Sequence, residues 1–319
     1  MPKILVCGAI NWDTILFVDR LPTPGEEVHV RRVISLPGGK AANTAIAAVR
    51  ILGGNDSIGI IGMLGTDDIA NSQTRILQNE GVDTSLIFRQ EGMPSGQAYV
   101  VVDSKGEDLI LTHKAANLAI TSDLVARTEV ASAIDKSSMI IVIDPPLDVA
   151  GSLIAYARNT GKKIIWSPAL LTNYGLSAVQ RYMSDVDYMI LNQQEARSLT
   201  QVDDGIQACS ILSNSLRGTK VVVTLGNEGC VLSMEGKNVR VPPLDLTLSN
   251  LRIVNTAGAG DTFVGAFGAF KLKEFEDSTA LYIANVAAAL KTAREEIRAS
   301  PTYEEIKQYV NNDYIRGLL

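Results

Sequence analysis

The residues best suited to chemistry cluster in Ile253–Phe263, IVNTAGAGDTF, followed by VGAFGAFKL. An apolar run leads into a glycine-rich turn, and the turn into an amphipathic helix. Gly258 and Gly260 let backbone amides approach an anion closely. A helix N-terminus adds unpaired N–H groups and positive potential. Such a turn suits charge developing on a transferring phosphoryl group. It lacks the lysine and Ser/Thr of a Walker A loop. Asp261 follows the turn directly. A carboxylate there can cap free amides, or it can take a proton from a hydroxyl attacking beside the phosphate site. The local pattern leaves both readings open.

A second segment, Gly38–Gly54 (GGKAANTAIAAVRILGG), is a tight turn feeding a helix that carries Lys40 and Asn43 near its start. Lys40 offers charge and donors, and Asn43 both a donor and an acceptor. Taken alone they read as an exposed lysine and a helix-start asparagine. Asp13, in AINWD, can accept hydrogen bonds from vicinal hydroxyls or cap a turn. Asn192 and Glu195 stand three apart at a helix start and share one face, which alone reads as a capping pair. Thr224–Gly229, TLGNEG, follows a predicted strand.

These residues need a frame, and the chain predicts one of alternating strands and helices. Apolar runs at Lys3–Gly8, Ser57–Gly62, Ser138–Ile143, Lys163–Trp166, Tyr188–Leu191 and Lys220–Leu225 are expected strands. Helical spacing marks Ala41–Leu52, stopped at Gly53 and Gly54, and Asp67–Glu80, Leu147–Asn159 and Gly205–Leu216. Three more helices are expected at Gly260–Lys271, Ser278–Arg298 and Thr302–Asn311. That alternation predicts an α/β fold with a mostly parallel sheet. Two regions break the rhythm. Asn11–Leu36 holds two strand-like pieces joined by LPTPGEE, and Gln97–His113 reads as a hairpin across SKGE. Together they predict a small antiparallel flap able to cover a site.

The chain has 319 residues, 29 Lys+Arg and 35 Asp+Glu, for a formal charge of −6. That balance argues against a nucleic-acid binder. The three cysteines are widely spaced and form no CxxC, against a disulfide scaffold or zinc knuckle. Cys7 and Cys230 are expected as buried thiols. His29 and His113 fall in the flap without metal-ligand company. The opening MPKILVCGAI turns polar too soon for a signal peptide. No apolar run reaches the ~18–20 residues that cross a bilayer. No membrane contact is expected, and the cytosol is the expected compartment.

Taken together, the motifs resemble those of the ribokinase (PfkB carbohydrate kinase) family. TAGAGDTF is similar to its DTxGAGD signature and GGKAANTAIAA to its GGKGANQAVAA signature. Asn11 and Asp13 match its N-x-D, Pro22–Glu26 its lid turn, Asn192–Glu195 its NxxE and Thr224–Gly229 its TLGxxG. Ordered matches run from residue 8 to about residue 301. The resemblance implies a ribokinase-like three-layer sandwich, a single domain over 1–319 with lid segments at about 11–36 and 97–113. It implies an ATP-dependent kinase of a sugar hydroxyl with Asp261 as base and Ala257, Gly258, Ala259 and Gly260 as anion hole. Asn11, Asp13, Gly39, Lys40 and Asn43 would hold the sugar. Thr224, Gly226, Gly229 and Asn285 would hold the nucleotide, and Asn192 and Glu195 would organise Mg²⁺, the latter through water. A homodimer paired through the lid edges is a further expectation.

Departures matter too. Asn255 replaces the first Asp of DTxGAGD, which helps bind a monovalent cation in ribokinases. Glu296 replaces a glycine in the C-terminal part of that cation site, and the spacing to Ser300–Pro301 is one shorter. Both weaken the case for potassium. The family's sugar-binding Glu has no clear counterpart, and Asp144, in IDPP, is the nearest. Within the family, a nucleoside kinase is the alternative, with Phe17, Tyr99 and Leu109 as lining for either pocket. A non-catalytic sensor is a more distant one.

Overall fold

The computed structural model describes residues 2–53, 57–105 and 107–310. The expectations for Gly54, Gly106 and Asn311 lie outside those residues. The strands are β1 (Ile4–Gly8), β2 (Asn11–Val18), β3 (Val30–Gly38), β4 (Ile58–Leu64), β5 (Ile87–Arg89), β6 (Gly96–Val102) and β7 (Asp108–His113), then β8 (Met139–Ile143), β9 (Lys163–Ser167), β10 (Tyr188–Asn192), β11 (Lys220–Thr224), β12 (Cys230–Met234) and β13 (Lys237–Val241).

Nine of them form one sheet in the order β13-β12-β11-β10-β9-β8-β1-β4-β5. Every neighbouring pair is parallel except those that β12 makes with β11 and β13. Parallel strands buried on both faces read as continuous apolar runs, and β1, β4 and β8 are buried at every position. Alternate residues feed two separate cores. Ile4 and Val6 join one face with the helices Lys40–Leu52, Ala259–Leu272 and Asp277–Thr292. Leu5 and Cys7 join the other with Leu147–Asn159, Gln193–Thr200 and Gly205–Ser215. Helix, sheet and helix thus make three layers, as expected. All three cysteines are free and buried. No helix among the described residues is long and apolar enough to cross a membrane.

The chain leaves β1 with later strands on either side, β4 on one and β8 on the other. Ligands of open α/β sheets bind outside the strand ends at such a switch point. Asp144 follows β8 there, and Gly8 ends β1 with no room for a Cβ against the Ile143 carbonyl.

The flap is a four-stranded sheet, β3-β2-β6-β7. The hairpin β6–β7 is antiparallel as expected, and so is β2–β3. The central pair β2–β6 is parallel, so the flap is mixed, not antiparallel. Between β3 and β6 the chain runs through a helix, two core strands and another helix, which is the long crossover that parallel pairing requires. Two helix boundaries also differ from expectation. The helix expected to reach Arg298 ends at Thr292, whose carbonyl accepts the amides of Val254 and Asn255 at 2.8 and 3.0 Å. The last helix is Tyr303–Lys307, opened by a Thr302–Glu305 capping box.

Two helices are built for close approach. Lys40–Leu52 carries alanines at 41, 42, 45, 47 and 48 and packs on Ala259–Leu272. At the crossing, a Cβ on Gly265 would collide with the Thr44 carbonyl. This contact brings the starts of both helices, and so the two strongest motifs, side by side.

Candidate active site

Gly258 occupies the left-handed region (φ 79°) and opens the helix Ala259–Leu272. The turn exposes several amides. Those of Gly258, Gly260 and Asp261 meet no acceptor among the described residues, whereas Ala257 N–H donates to Asn255 Oδ1 at 2.9 Å and Ala259 N–H to Thr256 O at 3.1 Å. Of the expected 257–260 amides, Ala257 and Ala259 are thus spent within the turn, and those of Gly258 and Gly260, with that of Asp261, stay unpaired among the described residues.

Asp261 does not cap its own helix. Its Oδ2 accepts the Asn43 amide at 2.8 Å, and its carbonyl accepts Thr44 Oγ1 at 3.3 Å. The capping reading thus gives way to a carboxylate held from the side. Asn43 is fixed in turn. Arg298 Nε–H donates to Asn43 Oδ1 at 2.9 Å, which leaves the amide N–H₂ pointing at Asp261. Arg298 is buried, and it also donates to Gln73 Oε1 at 2.9 Å and to the Gly38 carbonyl. Gln73 donates onward to the Asn11 carbonyl.

Lys40 sits among carboxylates. Its charge interacts with Asp261 most strongly, then with Asp144, Glu195 and Asp13, and the Asp261 carboxylate holds its ammonium above the ordinary lysine range despite burial. Burial pushes the Asp13 carboxyl up to about 6, against the pull of Arg298. Burial likewise pushes Asp144 up to about 6, against Lys40 and Lys114. Each carries a buried Oδ1 without a hydrogen-bond partner among the described residues. Asp144 also holds a left-handed backbone (φ 57°), costly for a residue other than glycine. Gly38 and Gly39 are explained by the same crowding. A Cβ on Gly38 would overlap the Asp13 carboxylate, and one on Gly39 would overlap the Asn11 amide. Asn11 Oδ1 accepts from Asn117 at 2.8 Å, so its own N–H₂ is the group left for a ligand.

Two cavities meet at the turn. One of about 200 Å³ is lined by Lys40, Ser167, Asn192, Glu195 and Asp261. The other, about 740 Å³, is lined by Gly226, Gly229, Asn285 and the apolar Leu244, Leu246 and Leu251. Thr224, Gly260 and Phe263 border both. The larger has the size and apolar walls of a small-molecule site. Asn285 donates to the Val241 and Pro242 carbonyls at 3.3 and 2.9 Å, fixing the cavity wall, and keeps only Oδ1 for a ligand. Asn192 and Glu195 form a reciprocal capping box, at 3.0 and 2.7 Å, and still face the smaller cavity. Burial holds the Glu195 carboxyl above the usual range.

The sequence matches the description of the pfkB family carbohydrate kinases over residues 1–303. The chain belongs to that family. PfkB carbohydrate kinases are phosphotransferases with an alcohol as acceptor, and this chain is a ribokinase-family sugar kinase. It is 26% identical over 317 residues to a ribokinase of Haemophilus influenzae, covering 97% of this chain and 98% of that one. Its fold is shared with Arabidopsis thaliana ribokinase complexed with ribose and ATP (TM-score 0.84, 22% identity, 97% and 98% covered). A Burkholderia thailandensis nucleoside kinase in complex with inosine shares it as well (TM-score 0.79, 20% identity, 96% of each chain).

The register separates the flap residues expected to line a pocket. Paired residues share a face, so Phe17 lies on the Asp13 side, whereas Tyr99 and Leu109 lie on the opposite side with Val33 and Leu111. Sequence reading missed Arg298, Gln73, Asn117 and Lys291. The Lys291 side chain is fully buried and donates to the Asn255 carbonyl at 2.9 Å. Burial pushes its ammonium down to about 8, and Asp261 draws it back up.

Proposed function

We propose that the chain transfers the γ-phosphoryl group of Mg-ATP to a hydroxyl of a neutral, pentose-like sugar, with Asp261 as the base. One observation carries the acceptor: Asp13 and Asp144 each bury a carboxylate oxygen that meets no donor among the described residues. Unpaired buried carboxylates call for hydroxyl donors. Asn11, Gly39, Lys40 and Asn43 complete the polar lining, and the surrounding carboxylates disfavour an acceptor that is itself anionic.

The sugar hydroxyl lies beside Asp261 and loses its proton to that carboxylate as its oxygen bonds to phosphorus and the bond to the ADP oxygen breaks. The amides of Gly258, Gly260 and Asp261 face the developing charge. The larger cavity takes the nucleotide, its apolar wall against the base and Thr224, Gly226, Gly229 and Asn285 around it. No group of three or more ligating side chains among the described residues is arranged to hold a metal ion. Mg²⁺ would be held by phosphate oxygens and water, with Glu195 and Asn192 orienting that water, and would supply charge neutralisation on the phosphates. The four-stranded sheet is the lid of this single-domain enzyme, excluding water when it closes. Its apolar outer face of Val33, Tyr99, Leu109 and Leu111 supports a homodimer built face to face in the cytosol.

A coupled phosphotransfer assay over ribose, other pentoses, hexoses, sugar acids and nucleosides tests this reading. A sugar is expected to give saturable turnover, and Asp261→Asn to lose on the order of 10²–10⁴-fold of it with nucleotide binding intact. Undiminished turnover in Asp261→Asn refutes the assignment of the base, and turnover with nucleosides alone refutes the sugar.

A further inference from the structure

Beneath the anion turn, two segments of chain are stitched together. Residues 254–258 run into the turn, and residues 293–301 cross behind them after the helix Asp277–Thr292. Asn255 Nδ2–H donates to the Glu295 carbonyl at 2.7 Å, and a Cβ on Gly258 would stand 2.6 Å from the Ile297 carbonyl. The family resemblance implies a monovalent cation at this place. A cation needs oxygens with lone pairs to spare, best of all a charged one, and Asn255 supplies neither a charge nor an oxygen free of a hydrogen bond. Asn255 O accepts Lys291 Nζ–H, Asn255 Oδ1 accepts the Ala257 amide, and the Asn255 side-chain donor is aimed at Glu295 O. Where a carboxylate would attract a metal ion, this chain has a neutral amide with both oxygens engaged.

What it has in addition is a charge of its own. The Lys291 side chain is 0% exposed, and its ammonium reaches Asn255 O, six residues before Asp261. It makes no ion pair among the described residues. A buried ammonium without a paired carboxylate is costly to folding, and the carboxylate whose field it feels is that of Asp261.

We infer that Lys291 is a tethered cation. Its ammonium takes the place of a monovalent metal ion under the anion turn, so phosphoryl transfer by this chain does not depend on potassium. Lys291 is a positioning residue. It holds the Asn255 carbonyl, and through it the turn that presents the amides of Gly258, Gly260 and Asp261. The inference rests on the proposed role of that turn.

The test compares the full chain in potassium chloride and in tetramethylammonium chloride at equal ionic strength. Two quantities are read: kcat with Mg-ATP and the sugar acceptor, and the melting temperature without substrates. The two salts are expected to give the same melting temperature and kcat values within about twofold, because nothing binds potassium specifically. Lys291→Met is expected to lose roughly 10- to 100-fold in kcat, the scale of an ~1 Å misplacement, with KM for ATP nearly unchanged. Ammonium ion, small enough for the space that Nζ vacates, is expected to restore part of the loss. Potassium-specific stabilisation of the wild type, or strong potassium activation, overturns the inference. So does a Lys291→Met protein with wild-type kcat. The melting comparison needs no turnover, so it decides the inference even where the variant fails to fold. If Asp261→Asn abolishes turnover while potassium activates the wild type, only the tethered cation fails. If Asp261→Asn remains active, the reading of the turn fails first.

Discussion

Gly265→Ala places one methyl group between the two helices that carry Asn43 and Asp261. The new Cβ would collide with the Thr44 carbonyl and lie 2.8 Å from Ala47 Cβ and 3.1 Å from Ala48 N, where ordinary contact begins at 3.4 Å. These are backbone atoms and a Cβ, so no side chain can swing aside. Clearing Ala47 alone needs the difference of 3.4 and 2.8, about 0.6 Å of separation, and Thr44 O asks for more. Overpacking of this kind costs about 1–3 kcal/mol. Replacing an interior helix glycine by alanine returns ~1 kcal/mol. The net loss of stability is thus roughly 0–2 kcal/mol, a few degrees in melting temperature. The effect on rate is larger. The Asn43–Asp261 hydrogen bond, 2.8 Å across this same helix pair, is stretched to the edge of bonding range. A base displaced by ~1 Å is expected to lose on the order of 10²-fold in kcat. Gly268→Ala is the control, because its Cβ meets the movable tip of Ile141 at 2.7 Å. Coupled phosphotransfer kinetics and thermal melts of both variants make the comparison. Gly265→Ala with wild-type kcat and melting temperature would show that this helix contact does not set the position of Asp261.

Asp13 and Asp144, held near 6 by burial, titrate above the unfolded carboxylate range. Their contribution to stability is complete below about pH 4 and is lost as pH rises through 6, by up to ~3 kcal/mol each. Asp13→Asn is therefore expected to match the wild type in urea midpoint near pH 4 and to exceed it near pH 8, and a difference that does not vary with pH contradicts this. Asp277 gathers Tyr188 Oη at 2.6 Å, Lys220 Nζ at 2.5 Å and Lys271 Nζ at 2.7 Å. Asp277→Ala leaves two ammonium groups facing each other and is expected to cost about 3–5 kcal/mol, partly recovered in high salt, with kcat little changed. A loss under ~1 kcal/mol by urea titration counts against that account.

Local patterns made much of this legible in advance. The buried strands announce themselves because a parallel strand covered on both faces has to be apolar throughout, as in Ile4–Gly8 and Met139–Ile143. The turn at Gly258 is legible because few residues other than glycine tolerate its φ. The partners of that turn are not legible, because they are tertiary. Arg298 and Asn43 are 255 positions apart, and nothing around Arg298 in EEIRASP marks it as buried. The end of the helix at Thr292 has the same origin. Its periodicity runs on toward Arg298, but its last carbonyl is claimed by Val254 and Asn255. Nothing in the sequence around Lys291 marks it as buried, because its acceptor lies 36 residues away. The parallel β2–β6 pair was missed because a strand pattern does not state its direction.

The dependence of Asn43 on Arg298 carries a consequence for biosynthesis. The amide that steadies Asp261 is made early, and the guanidinium that orients it is made 255 residues later. At roughly 5–20 residues per second of translation, that gap is about 13–50 s. By its end the last of the described strands, Lys237–Val241, is long made, while the orientation of Asn43 still waits for Arg298. A chain cut between Asp261 and Arg298 would keep the described strands and the carboxylate, and would lose the guanidinium that orients its partner.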